Sequence, residues 1–600
     1  MDKEKYILKK REEIQDQDKW SINEIYPNDE VWEKEYKELQ EEAPKLKEFE
    51  GKLGDGESLI KYFEVNEKVS RKAEKIYVYA HLRCDEDTGN TKYQAMMNKI
   101  DAYMAEYATY TAYVVPEILS LPDGKVEKEM KELKGLEPYK FLLENILKEK
   151  PHVLDKKEEE LLAAASDCLD APSSIHNIMT NADMKFGNIK DEDGEEVELT
   201  EGNYSSFIKS KDREVRKEAF KGLFKEYKAF ENTLATTLSS SIKVFNFSAK
   251  VRNYKSALEA SLKPNDIPLE VYTNAIKTID DNLSSLHRYV GLKKKLLGLD
   301  EMHMYDLYVP VIEITKERVE FDDAIKMSLE GLNPLGEEYL DIFKEGINGG
   351  WIDKYINKGK RGGAYSWGGY DTKPYVLLNY NYELNDVSTL VHEMGHSIHS
   401  YYSRKEQSYY YAGYTLFCAE VASTTNEALL IHHLINKETD KKKKLYLINQ
   451  ELEQIRTTVF RQLMFAEFEL YTHESFEKGI PLTAEDYNLK WHELNVKYFG
   501  PEMVVDSEID VEWSRIPHFY SDFYVYQYAT GYAAASAFAK SILNKEPNAV
   551  EKYIGFLKSG GSDYPIEILK KAGVDMTTSK PLEATIDRFN ELLDMLEKEI

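Results

Sequence analysis

The sequence places two imidazoles four residues apart, with a carboxylate directly after the first, in His392-Glu393-Met394-Gly395-His396. On an α-helix of 3.6 residues per turn the two histidines stand one above the other on a single face, where both rings can reach one metal ion. Glu393, roughly 100° further round the axis, is placed to hold a water bound to that ion. Two imidazoles on a helix with a neighbouring glutamate suit Zn²⁺ and the chemistry of a hydrolase. With 13 histidines in 600 residues, chance supplies such a pattern on the order of a few hundredths of a time per chain.

The flanking residues predict the helix. Asn385-Asp386 offers an N-cap, and Val387, Leu390, Val391, Met394 and Ile398 form the apolar side of a segment running to about Tyr402. Gly395 interrupts it. A glycine inside a helix costs about 1 kcal/mol against alanine, so its presence predicts a second backbone passing very close.

A catalytic zinc site usually has three protein ligands and an open position for water. Glu420, in Phe417-Cys418-Ala419-Glu420-Val421-Ala422-Ser423, falls in a second predicted helix from about Leu416 to Leu434. That helix can return antiparallel and present its carboxylate to the ion. Glu427, two turns later on the same face, is the alternative ligand or else a partner for a ligand histidine. His399 is read as packed or as supporting the ligands, because one straight helix does not curl three consecutive ligands around an ion.

His392-Glu393-Met394-Gly395-His396 with Glu420 in Ala-Glu-Val-Ala-Ser resembles the thimet oligopeptidase superfamily of zinc peptidases, in particular its bacterial oligoendopeptidase F branch. Upstream, Gly362-Gly363-Ala364-Tyr365-Ser366 and Pro374-Tyr375-Val376-Leu377-Leu378-Asn379-Tyr380 resemble the family's glycine-rich segment and the strand before the zinc helix. Downstream, Pro517-His518-Phe519-Tyr520 and Phe523-Tyr524-Val525-Tyr526-Gln527-Tyr528-Ala529-Thr530-Gly531 resemble its substrate-binding loop. The likeness runs over roughly residues 200–600, and residues 1–200 fit it only in being helical and charged. It implies one Zn²⁺ per chain on His392, His396 and Glu420, Glu393 as general base, and substrate contacts at Gly363, Tyr375, Tyr520 and Tyr524. It also implies a mostly α-helical clamshell around a deep central channel, with a small β-sheet next to the zinc helix. Such a channel admits short unstructured peptides and excludes folded proteins.

The downstream segment also has a chemical reading of its own. Tyrosine is common here, 43 in all, so a single one means little. A histidine followed by Tyr520, Tyr524, Tyr526 and Tyr528, however, is a run of hydrogen-bond donors of the kind a tetrahedral oxyanion needs. His518 and Tyr526 take that role in this reading, and Tyr528 packs. The strand at 374–380 would pair with substrate backbone, which tolerates many side chains.

The rest of the chain must position these groups, and its dominant period is helical. Trp32, Tyr36 and Leu39 recur at helical spacing, as do Tyr103, Tyr107 and Tyr110, and both stripes read as core. Strands are expected in a hairpin, 184–189 and 196–200, turning at Asp193-Gly194, and at 363–367 and 374–380. A boundary near residue 200 divides a helical N-terminal domain, 1–200, from a catalytic domain, 201–600.

A net charge of −28 disfavours nucleic-acid binding, which needs clustered Lys and Arg, and the run Lys441 to Lys444 reads as a solvated turn. Cys84, Cys168 and Cys418 form no C-x-x-C pair, and no run of eighteen apolar residues occurs. The N-terminal Met-Asp-Lys-Glu-Lys leads into no apolar signal region. A soluble cytoplasmic protein without a membrane partner is expected. Two other readings stay open. For a zinc exopeptidase, the G-x-M-E-N segment expected of many aminopeptidases is absent, and a carboxypeptidase would need a carboxylate-binding arginine near the metal, for which Arg515 and Arg361 are the candidates. A peptide-binding protein without catalysis would have no use for Glu393.

Overall fold

Apolar side chains at helical spacing make the chain 72% helical, with only small sheets, as the period in the sequence predicts. The computed structural model describes residues 8–312 and 317–599. The elements that matter below are, in chain order, α1 (Asp29–Glu42), α2 (Gly56–Glu86), α3 (Thr91–Thr111), β1 (Asn188–Lys190), β2 (Glu196–Glu198), α4 (Arg213–Ala229) and β3 (Met302–His303). They continue with β4 (Ile352–Tyr355), β5 (Tyr365–Trp367), β6 (Tyr375–Tyr380), α5 (Leu384–Glu406), α6 (Leu416–Lys437), α7 (Arg461–Glu477), β7 (Met503–Val504) and α8 (Tyr526–Leu543).

The chain forms two compact units, each assembled from three segments. The first takes residues 1–150, 316–433 and 538–573, and the second takes 151–315, 434–537 and 574–600. The boundary expected at residue 200 does not separate them. One reason is visible in the first unit's core, where Tyr375 and Leu377 of β6 pack into the same apolar cluster as α1, α2 and α3.

In that cluster Trp32 and Tyr36 stack at 5.4 Å and Tyr36 meets Tyr103 edge-on at 5.5 Å. The Trp32 indole donates to the Ile76 carbonyl at 2.9 Å, so the large ring is buried with its one polar atom satisfied. Both predicted stripes therefore face the core, with Tyr107 only half-buried at the rim. The first unit's sheet has the order β4-β6-β5, with β6 parallel to β4 and antiparallel to β5. The run Tyr375-Val376-Leu377-Leu378 is wholly buried, as a strand covered on both faces should be. This corrects two expectations. β6 has neighbours on both edges and cannot take up a substrate strand. Tyr375, 1% exposed, packs on Trp20 and donates its hydroxyl to the Ser21 carbonyl at 3.1 Å, so its side chain is unavailable to a peptide.

Beneath the same sheet, Lys360 is fully buried against Asp353 at 2.6 Å, and donates to the carbonyls of Asp353, Tyr355 and Leu378. Arg11 grips the other side of Asp353 and reaches Glu86 at 2.8 Å. Satisfied on all sides, this cluster fixes the register shift of β4 against β6.

In the second unit β1 and β2 pair antiparallel around Gly194, whose φ of +81° suits glycine. The hairpin turns where predicted, but its strands are three residues each, 188–190 and 196–198 rather than 184–189 and 196–200. The two-residue parallel pair β3 and β7 had no sequence signal. Among the described residues no helix is long and apolar enough to cross a membrane, and the three cysteines are unpaired.

The segment after His518 is anchored on buried acids. Phe523 sits at φ +55°, rare for a side chain of its size, and donates its N–H to Glu469 of α7 at 2.6 Å. Asn246 donates to His473 at 3.2 Å, whose other ring nitrogen lies 4.0 Å from Asp522. Burial pushes the Asp522 carboxyl up to about 7 and Glu469 well above the ordinary range, and drives His473 down to about 3. A raised carboxyl stabilises the fold fully below its unfolded pKa, and the contribution is lost as pH rises through the folded one. Glu469→Gln keeps an acceptor for the Phe523 N–H and removes the titration. Its melting temperature relative to wild type should therefore rise progressively from pH 5 to pH 8; a pH-independent difference would show that Glu469 is ionised in the fold.

Candidate metal centre

The helix bearing the two histidines starts at Leu384, slightly earlier than the expected cap at Asn385-Asp386. Asp386 lies inside the first turn, where its carboxylate accepts from the N–H groups of Glu383 at 2.9 Å and Asn381 at 2.8 Å. Val387, Leu390, Val391, Met394 and Ile398 are all completely buried, and the helix continues to Glu406, one turn beyond the expected end.

Gly395 has the neighbour that its presence predicted. A Cβ there would lie 2.7 Å from the Ser423 Cα and 3.0 Å from the Ala422 carbonyl, so α5 and α6 touch through backbone. Asn426 of α6 fastens the contact, donating to the Val391 carbonyl at 3.0 Å and accepting from the Tyr339 hydroxyl at 2.8 Å. The two helices come together at the level of the histidines.

Across this contact, ligand atoms of His392, His396 and Glu420 all lie within 4.8 Å of one another. Each histidine Nε2 is 3.5 Å from Glu420 Oε2, and the rings meet nearly perpendicular with centroids 4.9 Å apart. Ser423, one turn beyond Glu420, donates to the same carboxylate oxygen at 3.0 Å. Glu427 sits behind the ligands. Its Oε2 is 3.3 Å from His392 Nδ1 and its Oε1 accepts from Ser388 at 3.0 Å. That contact leaves Nε2 turned towards Glu420, as a carboxylate behind a ligand histidine does.

The local potential is strongly negative. Burial works against a charged ring at His392, but Glu427, Glu393 and Glu420 outweigh it and lift the imidazole to about 9. The hydrogen bond from His396, with the charge of both rings, brings Glu420 down to about 2 against its burial. Glu393, 7% exposed, moves the other way: burial raises it, with the charges of Glu420 and Glu427 adding and the two histidines opposing. Three carboxylates around two imidazoles favour a cation. Two nitrogens and one carboxylate oxygen are a donor set that Zn²⁺ accepts, with a coordination position to spare.

His399 is not part of this set. It is buried, stacked on Tyr414 at 3.8 Å and held near 3 by that burial. Ser388, Ser423 and Asn426 were not singled out from sequence, although Ser388 lies four residues from His392 and Ser423 three from Glu420, each on the same helix face as that ligand.

His518, half-buried in the 3₁₀ turn Pro517–Tyr520, accompanies Tyr524 and Tyr528. Its Nε2 is 3.3 Å from the Tyr528 hydroxyl, and Tyr524 and Tyr528 meet edge-on at 5.4 Å. Tyr528 is thus drawn to His518 rather than simply packed. Tyr526 is 2% exposed against Tyr272 at 5.0 Å, and Tyr520 donates to Thr237 at 3.0 Å. Gly363, at φ +82°, precedes β5, and its carbonyl accepts from Asn379 at 2.7 Å. Arg361 pairs with Asp85 at 3.1 Å and Arg515 with Glu201 at 2.6 Å.

The family model for peptidase family M3 matches residues 206–588, and a second, described as oligopeptidase F, matches residues 117–186. The chain belongs to peptidase family M3. It is a metallopeptidase, and its likeness to the family extends further towards the N-terminus than the motifs alone carry it. The M3 chain is 50% identical over 592 residues to oligopeptidase PepF of Bacillus subtilis, covering 98% of this chain and 88% of that one. It is 42% identical to group B oligopeptidase PepB of Streptococcus agalactiae, covering 98% of each. The crystal structure of oligoendopeptidase-F from Enterococcus faecium superposes with a TM-score of 0.72 at 41% identity, over 95% of this chain and 99% of that one. A crystal structure from Chlamydophila abortus gives 0.95 at 38%, over 99% and 100%.

The Gly395 contact yields a direct test. Gly395→Ala forces α5 and α6 apart by a few tenths of an ångström or more. It should destabilise the protein by about 1–3 kcal/mol, the usual cost of overpacking, and lower metal stoichiometry at fixed free metal. Wild-type metal content together with wild-type thermal unfolding would show that the helices do not need this approach.

Proposed function

We propose that this M3 metallopeptidase is a zinc-dependent endopeptidase that hydrolyses internal bonds of short unstructured oligopeptides. The observation that carries the reading is the convergence of His392, His396 and Glu420 within 4.8 Å, with the buried carboxyl of Glu393 on the same helix. A structural zinc would have four protein ligands; three leave a position for water. His392, His396 and Glu420 would hold the zinc, which would supply Lewis-acid activation of the attacking water and of the scissile carbonyl.

The chain's own residues do the rest. Glu393 takes the proton of the attacking water and passes it to the leaving amine. Its burial and the neighbouring carboxylates raise its proton affinity, the direction in which a general base working near neutral pH must be moved. Glu427 and Ser388 hold the His392 ring, and Ser423 steadies Glu420. His518 and a tyrosine hydroxyl of its segment stabilise the oxyanion, each such donor worth about 10²–10³ in rate. Tyr526 was the expected tyrosine. Its burial against Tyr272 favours instead Tyr528, whose hydroxyl is already beside His518, with Tyr524 next to it.

β5 is an edge strand of its sheet, and a peptide adding to that edge would be held by backbone hydrogen bonds, with Gly363 at its start. The names of the relatives, oligopeptidase and oligoendopeptidase, support cleavage within oligopeptides. Both arginines that a carboxypeptidase would use are already neutralised by carboxylates. Three unpaired cysteines support a reducing, cytoplasmic location.

A fluorogenic oligopeptide blocked at both ends tests the reading. Wild type should cut it, and 1,10-phenanthroline should stop the reaction. Glu393→Gln should retain about one zinc per chain and lose at least the 10²–10⁴ of general-base catalysis. Tyr528→Phe should lower kcat with little change in KM, and Tyr526→Phe should alter neither. An uncut blocked peptide would contradict an endopeptidase, and an active Glu393→Gln would contradict the assigned base.

A further inference from the structure

β5 has β6 on one edge and, among the described residues, no strand on the other. Successive side chains of a strand point to opposite faces, so its three residues divide between two helices. The Ser366 hydroxyl is 2.7 Å from that of Ser397 on α5, the residue after the ligand His396. Tyr365 and Trp367 take the other face, which α2 covers.

α2 meets this stretch at helical spacing. Glu74 accepts from the Tyr370 N–H at 2.8 Å, Tyr77 and His81 meet Trp367 edge-on at 5.8 and 4.7 Å, and Asp85 accepts from the Tyr365 hydroxyl at 2.7 Å and from Arg361 at 3.1 Å. A neighbouring side of α2, with Ile76 and Ala80, is buried in the core cluster that also holds Tyr375 and Leu377 of β6. The stripe against β5 is different. Tyr77, His81 and Trp367 all keep exposed surface, and with the β6 side filled by core that surface is turned to the free edge of β5.

This shelf is made of rings. Tyr77 and His81 stack at 6.1 Å, and the two carboxylates of the stripe are engaged, Glu74 by the Tyr370 N–H and Asp85 by His81 at 3.1 Å, Tyr365 and Arg361. A further aromatic ring pairs with such a group edge-on or offset, at centroid distances of about 4.5–7 Å. A peptide added to the free edge would lie one strand spacing, about 4.8 Å, from β5 and would turn every second side chain to the α2 face.

On the reading of this chain as an endopeptidase that takes substrate on β5, we propose that Tyr77, His81 and Trp367 form a specificity subsite for an aromatic side chain of the bound peptide. The residues before and after that side chain turn to the α5 face and escape the subsite. Backbone pairing tolerates many sequences, and the three rings impose a preference at one position of them.

A doubly blocked Ala/Gly peptide of about eight residues, with a single Phe, Leu or Arg moved through every position, tests this, mass spectrometry fixing the bond that is cut. Counted from that bond, wild type should favour Phe over Ala about tenfold in kcat/KM at one position and at neither neighbour of it. His81→Ala, in which Asp85 keeps Tyr365 and Arg361, and Trp367→Leu should each remove most of that ratio, and Trp367→Phe should keep it. A ratio taken within one protein is not moved by a general loss of activity. Isothermal titration of the same peptides into zinc-loaded Glu393→Gln reads the subsite without turnover, and the best Phe peptide should bind about tenfold more tightly than the Ala peptide. If wild type cuts none of the peptides while this binding difference stands, the endopeptidase reading fails and the subsite survives. Equal kcat/KM for Phe and Ala at every position, a preference for Arg over Phe, or a Phe preference that persists in both His81→Ala and Trp367→Leu would each overturn the subsite.

Discussion

Two helices can aim ligands at one ion only if their backbones come close, because a glutamate reaches a short distance and a histidine shorter still. The contact at Gly395 is where α5 and α6 meet that condition, with Ser423 Cα nearer to the glycine than a methyl group would allow. The cost of glycine inside a helix, about 1 kcal/mol, is borne at that place. Asn426 and Tyr339 then fix the pairing by hydrogen bonds in a buried setting, where a polar network specifies one arrangement when fully satisfied. Glu420 faces His392 and His396 as a result of that arrangement.

The electrostatics follow from the same closeness. Crowding Glu393, Glu420 and Glu427 against two imidazoles pulls the neighbours apart in proton affinity, Glu420 down and His392 and Glu393 up. A cluster with these opposed shifts is arranged to bind a cation and to hold one carboxyl ready for a proton, and opposed shifts of this kind concentrate at functional sites. Glu427 and Ser388 add the outer layer that keeps the His392 ring from turning. Dedicated support of that sort is what separates a working metal site from a chance meeting of ligands.

Much of this was legible from residue types and spacing. The histidine pair, Glu420, the role of Gly395 and both helices follow from the 3.6-residue period, because every one of these contacts is local to a helix or to two helices in succession. The limits lie where long-range packing decides. That β6 is central and Tyr375 buried depends on β4, which has no strong strand signal of its own, and on Trp20 and Ser21, distant in sequence. The choice between Tyr526 and Tyr528 turns on whether a side chain meets Tyr272 or His518, and alternation along a short segment cannot say which. The division into two units lies beyond local sequence reading for a related reason: each unit gathers three separate segments.

The central claim is that contact between α5 and α6 makes a centre of two imidazoles and one carboxylate with a position left for water. X-ray absorption at the zinc edge of the purified protein measures this directly. The account predicts two nitrogen neighbours at about 2.0–2.1 Å and oxygen neighbours at about 2.0–2.2 Å, with no sulfur. It also predicts that the Glu420→Gln protein loses the zinc signal while Glu427→Gln keeps it. Sulfur at about 2.3 Å, or an unchanged spectrum in Glu420→Gln, would contradict it.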